Sequence, residues 1–162
     1  MNASGALVIL ATNRPDMLDP AIVRDGRIDR KFSIGRPGKK EVAEIAEINT
    51  RNVKKDFTGE AVADSVFDDK RVVFHAIGTG HSTPITMGDL VNGAMIAGAV
   101  NRAKGFAVRR DVKNKVKQAS GVTMGDVNEA LDVITKELAM TSHDDAVKEI
   151  CRTRGFECTS YA

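Results

Sequence analysis

Apolar and polar positions follow different patterns along the chain, and the first pattern is that of a buried strand. Residues 6–11 are apolar without alternation, which is typical of a strand covered on both faces in a parallel sheet. A shorter strand is predicted at residues 31–34, closed by Gly35 and by the Pro37-Gly38 pair. That pair also predicts a hinge. We therefore expect one domain over residues 1–38 and a second over residues 39–162.

The second domain begins with a helical pattern and continues with a β-like one. Residues 71–77 and 83–87 are short runs on either side of a Gly-rich turn, and they predict a β-hairpin. The helix before them has one stripe of residues at helical spacing. The stripe consists of Val42, Ile45, Ala46, Asn49 and Val53.

Polar residues mark the beginnings of three further helices. Asn92 is expected to cap a helix from residue 93 to about residue 110. Thr123 with Asp126 resembles a capping box and begins a second helix. Asp144 opens a short last helix that ends before Gly155.

Composition narrows the function classes. The chain has 162 residues, of which 42% are hydrophobic and 28% charged, and a net charge of +2, so a folded protein without a polyanionic or membrane partner is expected. The longest apolar run falls far short of the ~20 residues of a membrane helix. Two cysteines without metal-site spacing favour a reducing, cytoplasmic location. The basic run at residues 109–117 is interpreted as a solvated linker, and nucleic-acid binding ranks last because no aromatic residues are interleaved with it.

Residues 6–32 closely resemble the second region of homology of AAA+ ATPases of the AAA clade. The resemblance implies that Asn13 is the sensor-1 residue, whose amide holds a water or senses the phosphate of ATP. It also implies that Arg24 and Arg27 are arginine fingers that act on a neighbouring subunit. The family usually has Pro-Gly-Arg-Phe-Asp where residues 25–29 read Asp-Gly-Arg-Ile-Asp, which leaves the arginine positions intact.

Residues 87–104, preceded by a hairpin, resemble the lid of the actinobacterial proteasome-associated ATPases (the ARC/Mpa group). By this resemblance Gly93 and Ala94 contact the adenine of ATP. The implied assembly is a ring of identical subunits, expected to be a hexamer, that unfolds protein substrates with ATP and Mg²⁺ and docks to a proteasome core. The tail at residues 160–162 has the penultimate Tyr of proteasome-docking termini, although a frayed end is favoured. Residues 24–27 are also similar to Rubisco activases, less completely.

The phosphate-binding motifs of such enzymes do not occur in this sequence. It contains neither Gly-x-x-x-x-Gly-Lys-Ser/Thr nor an apolar strand ending in Asp-Glu. Residues 78–83 resemble the end of a phosphate loop, but His81 replaces the Lys and the flanks predict a hairpin turn. We therefore expect an α+β, mainly α chain: a remnant of the AAA+ α/β core with one or two strands, then the helical lid with its hairpin.

Such a chain is expected to supply sensor 1, trans arginine fingers and the lid, and to be inactive alone, with no metal site of its own. Its first domain would be disordered, repacked or paired with another chain, because an uncovered strand edge invites association. The alternative is a non-catalytic helical module that serves assembly or partner binding.

Overall fold

The computed structural model describes residues 7–12, 14, 17–23, 28, 30–78, 81–141 and 144–161. Contacts divide the chain into two units, Met1–Gly35 and Arg36–Ala162. The described residues are mainly helical and include one three-stranded antiparallel sheet. This confirms the predicted α+β, mainly α class.

The first unit contains a short helix but no strand among its described residues. Helix α1 spans Pro20–Val23, and the Ala21 N–H donates to Asp19 Oδ1 at 2.8 Å, as expected for an Asp cap followed by Pro. The strands predicted at residues 6–11 and 31–34 are wrong where the structure describes them, because residues 7–11 and 31–34 are irregular. Side chains from Leu7 to Leu10 are 58% to 86% exposed. A strand forms only when a neighbour satisfies its backbone groups, and no described residue pairs with this segment.

The second unit contains all the helices predicted after residue 38. Helix α5 runs to Lys113, beyond its predicted end near residue 110, and helices α3 and α4 were not predicted. The bounds are α2 Lys39–Thr50, α3 Gly59–Val66, α4 Met87–Leu90, α5 Gly93–Lys113, α6 Met124–Ala139 and α7 Asp144–Thr153.

The predicted caps determine where α5 and α6 begin. Asn92 Oδ1 accepts the Met95 N–H at 2.9 Å. At α6 the capping box is reciprocal: Thr123 Oγ1 accepts the Asp126 N–H at 3.3 Å, and Asp126 Oδ2 accepts the Thr123 N–H at 2.8 Å. Both bonds satisfy N–H groups that a helix leaves open at its N-terminus.

Three strands form the sheet in the order β2-β1-β3. Strands β1 (Val72–Gly78) and β2 (His81–Thr86) form the predicted hairpin, with Gly78 opposite His81. Strand β3 (Cys158–Tyr161) was missed, since the tail was expected to be frayed. It pairs antiparallel with β1, with Ser160 opposite Ile77.

Two apolar clusters make up the core of the second unit. The first lies among α2, α3, α5 and α6 and includes the fully buried Val42, Ile96 and Leu131. The second joins the sheet to α7 through Phe74 and Val147. Among the described residues, no helix combines the length and the apolar character needed to cross a bilayer.

One residue of the basic run is a structural link, which corrects its interpretation as a solvated linker. Arg110 lies within α5 and forms an ion pair with Asp126. Its guanidinium also donates to Gly121 O at 2.6 Å and Ser120 Oγ at 2.7 Å. Arg110 thus holds the end of α5 against the beginning of α6.

Candidate functional site

The structure places only part of the predicted site. Gly93 and Ala94 are described, at the first two positions of α5. Asn13, Arg24 and Arg27 lie outside the described residues. The geometry available is therefore that of the beginning of α5.

The segment before α5 is fixed by one buried side chain and one long-range hydrogen bond. Val91 is fully buried and extended (φ −59°, ψ 143°), so it turns the chain from α4 into the cap residue Asn92. Arg36, from the segment before α2, donates from Nη1 to Leu90 O at 2.8 Å. The beginnings of α2 and α5 are thereby tied together.

Gly93 lies against α2 with room to spare. It is half-buried and Ala94 is exposed. A Cβ added at position 93 would lie 3.5 Å from Ile45 Cδ1, which is ordinary van der Waals contact. Protein packing therefore does not require glycine here, and the missing side chain leaves the backbone of the first turn open to a ligand.

The surface around Gly93 combines apolar contact with hydrogen-bond donors. Ile45 and Ala94 present apolar groups, and Ile45 is only half-buried. The first N–H groups of a helix have no carbonyl partner within it, and the helix dipole favours an acceptor there. Met95 N–H is already bonded to Asn92. This arrangement suits a flat, nitrogen-rich ring that packs on Ile45 and accepts from the backbone.

A lysine farther along the same interface lies too far away to contact that ring. Lys104 Nζ donates to Asn49 O at 3.0 Å and to Asn101 Oδ1 at 3.2 Å. Position 104 is about 16 Å along the helix from position 93 at the standard rise. The Lys104 ammonium group therefore links α5 to the backbone of α2.

Two carboxylates with lowered pKa values hold helix ends of the second unit in place. Burial opposes ionisation of Asp126, but hydrogen bonds from the Thr123 N–H and hydroxyl and from Arg110 outweigh it and lower the pKa of Asp126. The hydrogen bond from Lys55, followed by that from the Gly59 N–H, lowers the pKa of Glu47. These groups are held ionised by helix ends and cations, as in structural ion pairs.

Sequence reasoning missed two residues beside the predicted contact. Ile45 was predicted only as a member of the apolar stripe of α2; it packs against the first core cluster and also borders Gly93. Arg36 carries no motif that signals its bond to Leu90, because the two residues are 54 positions apart.

A metal ion has no ligand set in the part of the chain that the structure describes. No group of three or more His, Cys, Asp or Glu side chains converges there.

Comparisons with known proteins give a consistent result across the chain. The family model "ATPase family associated with various cellular activities (AAA)" matches residues 1–36. The chain is 30% identical to an "AAA ATPase forming ring-shaped complexes" from Corynebacterium glutamicum strain R. The alignment has 165 positions and covers 96% of this chain and 31% of that protein. A protein of the same description from Corynebacterium urealyticum is 29% identical over 153 residues, covering 82% and 28%.

A eukaryotic relative is more similar over a shorter stretch. The "26S proteasome subunit RPT4" of Saccharomyces cerevisiae is 41% identical over 110 residues, covering 68% of this chain and 21% of that subunit. The chain therefore spans about a third or less of the length of these curated relatives.

Proposed function

We propose that this chain works in an ATP-driven ring that unfolds proteins. The premise is that the chain belongs to the AAA ATPases and is similar to the C-terminal part of their ring-forming, proteasome-associated type. The observation that carries the proposal is one continuous similarity through both units, over 96% of the chain, to a relative described as ring-forming. The ring would contain six copies of the subunit. Protein substrates would pass through its pore, and a proteasome core would receive and degrade them.

In this proposal the first unit supplies groups for phosphoryl transfer. Asn13 orients the attacking water at the γ-phosphate. Arg24 and Arg27 reach the nucleotide of the neighbouring subunit and stabilise the charge that develops on the transferred phosphoryl group. The phosphates and Mg²⁺ would be held by a phosphate loop outside these 162 residues, since no such motif occurs in them.

The second unit would be the lid and would hold the base of ATP. Gly93 and Ala94 offer backbone N–H groups to the adenine, while Ile45 packs against one face of the ring. Support comes from the space beside Gly93, where even a methyl group would meet nothing closer than Ile45 Cδ1 at 3.5 Å.

The first test measures hydrolysis with and without a phosphate loop. We expect the isolated chain to show no ATP turnover, and a hybrid in which it replaces the aligned part of the Corynebacterium glutamicum relative to hydrolyse ATP and form rings. In the hybrid, Arg24→Ala and Arg27→Ala should lower the rate by about 10³-fold. Lys40→Ala, on the exposed face of α2, is the matched control and should keep the rate.

The outcomes separate the parts of the proposal. Turnover by the isolated chain, abolished by Asn13→Ala, would contradict the assignment of the phosphate site to another segment. Hybrid rings that bind ATP and hydrolyse it equally well without either arginine would contradict the finger assignment. Asn13→Ala should lower hydrolysis while ATP binding is retained.

The second test addresses the adenine contact. Gly93→Leu should weaken binding of a fluorescent ATP analogue to the hybrid by at least about tenfold, because the side chain fills the space beside Ile45. Gly98→Leu places the same side chain five positions along α5, where nothing lies within 4 Å, and should bind normally. Equal affinities would place the base elsewhere.

A second candidate function is a non-catalytic module for assembly or partner binding. One observation favours it: among the residues that the structure describes, the buried members of both apolar clusters lie within residues 42–151, so the helical unit has a core of its own. Two results together would support this module over the motor. The chain would capture a partner equally well with and without ATP, and the hybrid that contains the chain would not hydrolyse ATP.

A further inference from the structure

The two cysteines of the chain lie in the same apolar cluster. Cys151, in the last turn of α7, is 1% exposed and belongs to the second core cluster. Cys158, the first residue of β3, is half-buried and packs against that cluster. Both are free thiols. They therefore lie on two different elements that share one patch of core.

A tight helix ending returns the chain to bring the two cysteines together. Gly155 has a positive φ of 84°, a conformation that glycine adopts without strain. Its N–H donates to Arg152 O at 3.0 Å, and the Phe156 N–H donates to Cys151 O at 3.0 Å. These two bonds form a Schellman motif, which reverses the chain directly over the turn that carries Cys151.

After this reversal Cys158 packs against the cluster that contains Cys151, and the two thiols interact. Burial, followed by a hydrogen bond with the Cys158 thiol, raises the pKa of the Cys151 thiol. Cys158 Sγ also donates to Ser160 O at 3.1 Å within β3. The buried thiol of α7 and the more accessible thiol of β3 thus share one patch of the core.

We propose that Cys151 and Cys158 are a reversible redox pair, which an oxidant of the peroxide class converts into an intramolecular disulfide that ties β3 to α7. The Cys158 sulfur attacks one peroxide oxygen, the O–O bond breaks, and a sulfenic acid and water form. The Cys151 sulfur then attacks the Cys158 sulfur, the S–O bond breaks, and a second water leaves. Two thiols lose two electrons in total, and the peroxide gains them.

The disulfide would restrict β3, the short strand at one edge of the sheet. Strand β3 has four residues and pairs with β1 at Ala76, Ile77 and Gly78, with an irregularity between the last two. A covalent link from Cys158 to α7 prevents this strand from separating far from β1. Oxidation therefore makes the pairing of the tail with the sheet persistent, and reduction releases it.

The test uses the full chain, hydrogen peroxide and peptide mapping without reduction. Trypsin cuts after Lys148, Arg152 and Arg154, so Cys151 lies in peptide 149–152 and Cys158 in peptide 155–162. The expected product is this peptide pair joined by a disulfide, in a monomer that has lost two hydrogen atoms. At ~10 µM chain it should form on the order of a hundredfold faster than any dimer, because a short connection gives a millimolar effective concentration.

Two readouts distinguish the redox pair from two unrelated thiols. Amide hydrogen exchange of residues 158–161 should slow on oxidation and recover with dithiothreitol. Cys158→Ser should abolish the linked peptides and leave Cys151 unmodified, with the helical circular dichroism unchanged. The proposal would be overturned if Cys151 stayed reduced in the parent chain while Cys158 was converted mainly to sulfinic acid or to disulfide-linked dimers.

Discussion

The backbone N–H of Gly59, at the first position of α3, donates to Glu47 Oε1 of α2 at 2.6 Å. The same carboxylate lies 2.5 Å from Lys55 Nζ. One side chain of α2 thus satisfies an N–H that α3 leaves open at its N-terminus and also binds the loop between the two helices. The contact requires the two backbones to approach closely at Gly59.

Gly59→Ala should destabilise the chain by about 1–3 kcal/mol, as overpacking does. The added Cβ would lie 2.2 Å from Ala43 O and 2.8 Å from Glu47 Cγ. The free energy of unfolding in urea, followed by helical circular dichroism, measures the loss. Gly105→Ala is the matched control, because nothing lies within 4 Å of that site in α5, and it should stabilise by roughly 0.5–1 kcal/mol. Similar values for the two variants would contradict the close approach.

Acid should destabilise the second unit through three carboxylates. Hydrogen bonds from Ser120 lower the pKa of Asp111, and the pKa values of Asp126 and Glu47 are lowered as described above. Each group is more readily ionised in the folded state, so the unfolded chain binds more protons as the pH falls. The stability that they contribute is fully present above the ordinary pKa values of 3.8 for aspartate and 4.5 for glutamate, and it is lost as the pH falls through the lower folded values.

Urea midpoints measured from about pH 7 to about pH 3 test this dependence. Asp126→Asn should lower stability at neutral pH and flatten the acid limb, because it removes one of the titrating groups. Asp64→Asn removes a carboxylate from an exposed ion pair with Lys39 and should give a curve parallel to that of the parent. An unchanged acid limb in Asp126→Asn would contradict the assignment.

Arg71→Met should cost about 1–3 kcal/mol, because it leaves several half-buried acceptors without a donor. The Arg71 side chain is 13% exposed, and its guanidinium donates to Ser65 O at 2.7 Å and forms an ion pair with Asp132 at 2.5 Å. It thereby joins the end of α3 to α6 at the beginning of β1.

A second arginine in a more exposed ion pair provides the comparison. Arg102 donates to Glu137 at 2.8 and 3.2 Å, with more than a third of its side chain exposed. Arg102→Met should therefore cost less than about 1 kcal/mol. Thermal unfolding of both variants decides the matter, and a larger loss for Arg102→Met would show that α5–α6 charge pairing matters more than the Arg71 contacts.

Residues 36–162 should fold without the first unit. Of the buried residues that the structure describes, every member of the two clusters lies within this range. We expect this fragment to give the same cooperative unfolding midpoint as the full chain, within a few degrees, and a dispersed NMR spectrum. A fragment that lacks a cooperative transition would show that the first unit contributes to the core.

Local signals predicted most of the second unit, while pairing between distant residues escaped them. Asn92 and Thr123 were identified from the sequence because a cap bonds only to residues two or three positions ahead. Strand β3 was missed because four residues carry little pattern, and their pairing with β1 depends on the Gly155 reversal.

In the first unit a strong local pattern predicted a strand that the described residues do not form. The run at residues 6–11 has the composition of a buried strand, but that composition only forms a strand where neighbours supply hydrogen bonds and cover. The candidate site divides in the same way. Gly93 and Ala94 were placed by resemblance, while the proximity of Ile45 required the packing of α2 on α5 to be known. The roles of Asn13, Arg24 and Arg27 stay predictions.

The water-facing segment from Leu7 to Leu10 has a practical consequence for anyone who purifies this polypeptide. Four consecutive large aliphatic side chains in contact with solvent are the kind of sequence that chaperones capture and that precipitates when concentrated. The yield of intact material should therefore rise when a companion surface shields them soon after synthesis.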